Sequence, residues 1–198
     1  MSTGAAPLAA PATLMNLVWP SRTALRAAIL MVIGSGLLAL SAKTQVPFYP
    51  VPMTMQTLVV LVLGAAYGWR LGAATVALYL AEGLVGLPVF AGVAAGPAYM
   101  AGPTGGFLVG FLFAAMTTGF MAERGWDRSL LRVFLMMTLG HAIIFAFGLG
   151  WLSSVMGFEK AVAAGAAPFL WATILKTALA AALMQAAWGM ASRTDEQR

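Results

Sequence analysis

The chain contains no cysteine. That excludes disulfide staples, thiolate catalysis and cysteine-held metal together, and leaves the compartment open. Charge is nearly as scarce: Asp, Glu, Lys and Arg make up 9% of the 198 residues, and histidine occurs once, at His141. So little charge cannot build a solvated surface, which excludes a soluble globular domain. The three lysines are Lys43, Lys160 and Lys176, and none stands in the Gly-x-x-x-x-Gly-Lys context that nucleotide phosphates require; "GPTGGF" at 102–107 shares only the glycines. An ATPase that drove this protein would have to be another chain. Ten-residue segments of alternating polarity are also missing, which removes a β-barrel. No metal or cofactor site is expected.

What is present is apolar. Hydrophobic residues make up 61% of the chain and the mean hydropathy is +0.89, as expected of an all-α integral membrane protein. Glycine at 22 and methionine at 13 suit close helix packing and adaptable apolar walls. The runs predict six transmembrane helices near 23–42, 54–68, 71–87, 104–122, 130–152 and 169–190. Residues 1–21 read as a disordered cytoplasmic tail, 22–191 as one six-helix transmembrane domain, and 192–198 as a second cytoplasmic tail.

The net charge of +5 is an orientation signal, not a nucleic-acid footprint, because it falls in short clusters between spans. With both termini in the cytoplasm, Arg22, Arg26, Arg70, Arg124, Arg128, Arg132, Arg193 and Arg198 all lie inside, and Lys43 and Lys160 outside. Trp19, Trp69, Trp126 and Trp188 then mark the inner interface, and Trp151 and Trp171 the outer one. The setting is the cell inner (plasma) membrane.

On this topology "VFAGVAAGPAYMAGPTGGF", at 89–107, is an outer loop between spans three and four, with five glycines, two prolines and no charge. It is too apolar for a solvated loop and too broken for a regular helix, as expected of a lid over a cavity. A re-entrant turn with no ligand is the plainer account. "IGSG" at 33–36 with His141 raises an intramembrane serine protease, for which Ser35 and His141 must meet; a buried histidine bonded to Thr138 is the alternative. Ala24, Ala28, Ser35, Ala39 and Ala42 fall within about 60° on span one, a small-residue stripe that lets a helix come close, from this chain or from a partner. Ala178, Ala182, Ala186 and Gly189 form another on span six.

Lys176 carries the most information. It lies about 10 Å into span six, where a charge is costly unless it faces a polar cavity or snorkels to the surface. Thr173 shares its face one turn away. Glu82, in the outer half, pairs with Lys176, binds a ligand donor or reaches the headgroups.

"PFYPVPMTMQTLVVLVLGAAYG", "LYLAEGLVGLPVFAG", "AGPTGGFLVGF" and "APFLWATILKTALAAAL" together resemble the BioY family, the biotin-binding S component of energy-coupling-factor (ECF) vitamin transporters. The resemblance implies a six-helix bundle, no enzyme activity, and biotin uptake through a glycine-rich loop that closes over the vitamin; another vitamin or a biotin precursor is the alternative substrate. It implies partners too: a transmembrane T component, docked through small residues on the first helix (Ala24 and Ala28, or Ser35 and Ala39), and two ATPase subunits. Action without them, alone or self-associated, stays open. The family's sixth helix has Asp-x-x-Lys where this chain has Thr173 and Lys176, so an uncharged hydroxyl replaces a carboxylate. The expected site comprises Lys176, Thr173, Gln56, Tyr99, Thr104, Gly105, Gly106 and Glu82, with Phe90 and Phe107 as walls.

Overall fold

The computed structural model describes residues 13–21 and 23–195. Backbone amides and carbonyls have no water to bond in hydrocarbon, so apolar runs of this kind close their hydrogen bonds within the segment. The result is a bundle of α1 (Leu14–Val18), α2 (Ala24–Lys43), α3 (Gln56–Tyr67), α4 (Trp69–Leu84), α5 (Pro97–Met100), α6 (Gly105–Ala122), α7 (Leu130–Met156), α8 (Phe158–Gly165) and α9 (Leu170–Asp195). A helix occupies each of the six regions expected to span. Among the described residues four helical stretches are long and apolar enough to cross a membrane: Ala24–Lys43, Gly105–Ala122, Leu130–Met156 and Phe158–Ala191. The other two regions, α3 and α4, hold 12 and 16 residues, or about 18 and 24 Å of helix.

Local chemistry sets the breaks. Thr23 caps α2, its hydroxyl accepting from the Arg26 amide at 3.2 Å, which answers one of the four orphan N–H groups at a helix start. Gly68, at φ +82°, turns α3 into α4 with a backbone that side chains other than glycine rarely adopt. The Trp69 amide that follows donates to Glu123 Oε1 at 3.2 Å. Gly64 lets α3 meet α6: a Cβ there would stand 2.4 Å from Thr118 Oγ1 and 2.6 Å from the Ala115 carbonyl.

Two expectations are corrected. The N-terminal tail was expected to be disordered through residue 21; residues 1–12 lie outside the described residues, but Leu14–Val18 form a helix. Leu14 and Met15 pack against the core, and Arg26, itself buried, donates to the Met15 carbonyl at 2.8 Å and to Asn16 Oδ1 at 3.3 Å. The buried guanidinium needs acceptors, and this turn supplies them. The second is a small sheet in a fold expected to be wholly helical: β1 (Gln45–Val46) and β2 (Met53–Thr54) pair antiparallel, with Gln45 opposite Thr54. Pro47, Pro50 and Pro52 keep the chain between α2 and α3 out of helix.

The two ends of the bundle differ in chemistry. At one, buried Asp127 accepts from Trp188 Nε1 at 2.9 Å, and the Arg128 guanidinium lies 3.6 Å over the Trp188 ring. Burial pushes the Asp127 carboxyl above the usual range, opposed by the Trp188 hydrogen bond and by Arg128. At the other end sit Lys43, the hairpin and the glycine-rich loop, with Trp151 Nε1 donating to the Gly102 carbonyl at 2.9 Å.

Candidate functional site

Beneath that second end lies a cavity enclosing about 560 Å³ of unfilled space, counted out to its mouth. Its roof comes from the loops, through Val51, Pro52 and Thr54 on the hairpin side and Ala91, Tyr99 and Thr104 on the glycine-rich side. Gln56 and Thr57 open α3, and Thr173 and Lys176 face them from α9. The remaining wall is apolar: Phe107, Leu108 and Phe111 on α6, Ile144 and Phe145 on α7, and Phe169 before α9.

Among the described residues, Lys176 is the only charged one in the lining. It is 8% exposed, and its Nζ donates to the Thr54 carbonyl at 2.6 Å and to Thr57 Oγ1 at 3.5 Å. An ammonium has three donors, so among the described residues one has no partner, on a side chain that lines the cavity. Burial among these acceptors is not the geometry of a lysine snorkelling along the outside of its helix.

Six of the ten expected site residues meet here: Lys176, Thr173, Gln56, Tyr99, Thr104 and Phe107. Gln56 lines the cavity with its amide already occupied. Its Nε2 donates to Tyr79 Oη at 2.6 Å, its Oε1 accepts from Thr54 at 3.1 Å, and Tyr79 in turn donates to the Val89 carbonyl at 3.1 Å. Gln56 therefore ties the two loops together more than it offers bonds to a ligand.

The other four expected residues lie outside the cavity lining, each for a packing reason. Phe90 is fully buried behind the wall, stacked on Tyr99 at 5.0 Å and edge-on to Tyr79 at 5.6 Å. Gly105 and Gly106 face away from the cavity, where small size is needed for packing: a Cβ on Gly106 would stand 2.3 Å from Trp151 Cβ, so this glycine lets α7 approach α6. Glu82 is across the bundle, its carboxylate accepting the Ser35 hydroxyl between α4 and α2. A carboxylate in an apolar layer takes the nearest donor.

The small-residue stripe on α2 is divided between two settings. Ser35 and Ala42 are buried and Ala39 half-buried, whereas Ala24 and Ala28 are exposed, because α2 turns Gly34, Ser35 and Leu38 inward against its neighbours. Ser35 and His141 form no catalytic pair. His141 is buried, with Nδ1 3.1 Å from both the Met137 carbonyl and Thr177 Oγ1. Its side-chain partner is thus Thr177 rather than Thr138, whose hydroxyl turns back to the Phe134 carbonyl.

Thr54, Thr57, Phe145 and Phe169 were missed. The hydroxyls of "PVPMTMQT" were the available signal, a cluster of polar groups at the mouth of an apolar run. Phe145 and Phe169 are not distinguishable by type from the other aromatics of the spans.

The sequence profile of the BioY family matches residues 12–193. The biotin transporter BioY of Rhizobium etli is 36% identical over 173 residues, covering 83% of this chain and 89% of that one. A probable biotin transporter BioY of Pyrococcus horikoshii is 35% identical over 144 residues, covering 73% and 85%. Among solved structures, the S-component for biotin from an ECF-type ABC transporter matches with a TM-score of 0.73 over 83% of this chain and 93% of that one, at 21% identity, and so shares the fold. With its apolar helices and a match over nearly its whole length, the chain is an integral membrane protein that belongs to the BioY family.

Proposed function

We propose that this chain is the biotin-binding S component of an ECF-type transporter, capturing biotin on the outer side of the plasma membrane and passing it inward without covalent chemistry. The observation that carries the reading is the lone Lys176 ammonium, buried among hydroxyls and a carbonyl, facing an aromatic wall. Biotin has matching parts. Its ureido group asks for donors and acceptors, its fused rings and valeryl chain for apolar surface, and its carboxylate for a cation. Lys176, Thr173, Thr104 and Tyr99 are the polar contacts in this proposal and Phe107 a wall. Residues 22–191 form the substrate-binding domain, and the T component, joined by two ATPase subunits, docks on the exposed Ala24 and Ala28. Thr173 and Thr104 are neutral, so the ligand's charge is met by Lys176 alone.

Titration of the purified protein by tryptophan fluorescence tests this. Biotin is expected to bind saturably, dethiobiotin more weakly for want of the sulfur ring that fills the apolar wall, and biotin methyl ester more weakly still. Absence of saturable biotin binding sinks the proposal, and equal binding of the ester moves the carboxylate away from Lys176.

The proposed topology has six spans with both termini in the cytoplasm. Because native cysteine is absent, single cysteines report cleanly. Val93, 94% exposed in the glycine-rich loop, and exposed Ala163 on α8 are expected to react with an impermeant maleimide added to intact cells. Ser129, exposed before α7, is expected to react only after lysis. Labelling at Ser129 in intact cells would reverse the orientation.

A further inference from the structure

We propose that Lys43 is a positioning residue for the cavity: from the end of α2 its ammonium gathers the carbonyls at the root of the glycine-rich loop and so sets the wall that Ala91 and Tyr99 present. The proposal rests on the reading of the cavity as a ligand site. Lys43 Nζ donates to the carbonyls of Pro88 at 2.6 Å, Phe90 at 2.8 Å and Gly92 at 2.6 Å. Those three bonds use all the donors an ammonium has. A lysine ending a helix ordinarily turns to that helix's last carbonyls or to an acid. This one reaches backbone 45 to 49 residues onward, and among the described residues no ion pair involves it.

Three alternate carbonyls aimed at one point repel one another, since their negative ends converge. The cation turns that repulsion into charge-assisted bonds, and Gly92, at φ +69°, supplies the local backbone turn. Inside the held stretch, Ala91 lines the cavity. Phe90 lies between Tyr79 and Tyr99, and Tyr99 lines the cavity too. A shift of Phe90 therefore moves the wall. Lys43 itself is not part of the lining and acts through the loop.

The test uses Lys43→Met and Lys43→Arg in the full-length protein, with biotin as the probe. For the Met variant, biotin dissociation is expected to quicken on the order of tenfold with association nearly unchanged, since loss of a holding contact is read in the off-rate. The Arg variant is expected to recover part of the loss, because a guanidinium can still bridge two of the three carbonyls. In ligand-free Lys43→Met, amide exchange at Val89, Gly96 and Tyr99 is expected to rise. Unchanged exchange overturns the hold, and raised exchange with an unchanged off-rate overturns its role at the cavity. Were the wild type to bind no biotin, the functional reading would fail while the exchange measurement still decided whether Lys43 holds the loop.

Discussion

Lys176→Met is expected to lower biotin affinity ten- to more than a hundredfold while leaving the fold intact. The Met side chain keeps most of the apolar stem and removes the charge. Hydrogen bonds to a charged group contribute about 1.5–3 kcal/mol, which converts to that range of dissociation constants. The variant also strips the Thr54 carbonyl of its donor, but this penalty is present with and without ligand and cancels from the binding constant to first order. Lys176 is enclosed by Thr54 and Thr57, so its ammonium is held at the cavity and not at the membrane surface. Parallel fluorescence titrations of wild type and variant give the answer directly, with Trp171 five residues from the substitution as a reporter. Equal affinities would remove Lys176 from the site and leave an apolar pocket without a charge contact.

The residues that proved legible were those whose placement is costly. A lysine inside a span demands a polar environment, and Lys176 has one. Threonine one turn away, a tyrosine and a threonine in a charge-free loop, and glutamine at the mouth of an apolar run marked Thr173, Tyr99, Thr104 and Gln56 for the same reason. The breaks between helices were readable because Gly68 and the prolines around residue 50 act locally.

What depended on which neighbour lies across an interface was not readable. Phe90 and Phe107 are both aromatic and both follow short glycine-containing stretches, yet one lies behind the wall and the other forms it. The difference is made by Gly83, where a Cβ would stand 2.0 Å from the Phe90 ring, and this is a fact of packing. Glu82 went to Ser35 because α2 and α4 adjoin, a pairing no periodicity within either helix reveals. The small-residue stripe on α2 is part buried and part exposed because an angular window of about 60° can straddle the edge between the two faces. The short helix at Leu14 was hidden by the prolines around it, although Leu14 and Met15 had apolar surface to bury.

The same dependence on packing makes one glycine outside the cavity lining a sensitive control on it. A Cβ at Gly148, on α7, would stand 2.3–2.5 Å from the Cγ, Cδ1 and Cε1 atoms of the Phe107 ring, so even Gly148→Ala forces a displacement. The Phe107 ring has neighbours on its other sides: Phe145 packs edge-on with centroids 6.3 Å apart, and the backbone at Gly165 lies close enough that a Cβ there would stand 3.6 Å from the ring tip. Empty volume lies on the remaining side, which is the cavity. If the ring stayed in place, overpacking would cost about 1–3 kcal/mol of stability, a drop of roughly 2–12 °C in melting temperature. Rotation into the cavity relieves that strain in the free protein and moves the loss to binding, because the ligand must push the ring back. Gly148→Ala is therefore expected to bind biotin about tenfold or more weakly with a melting temperature close to wild type. Adding Phe107→Leu, which removes the clashing ring, is expected to restore part of the affinity. A lowered melting temperature with unchanged biotin affinity would show that the ring holds its place and that this side of the cavity does not touch the ligand.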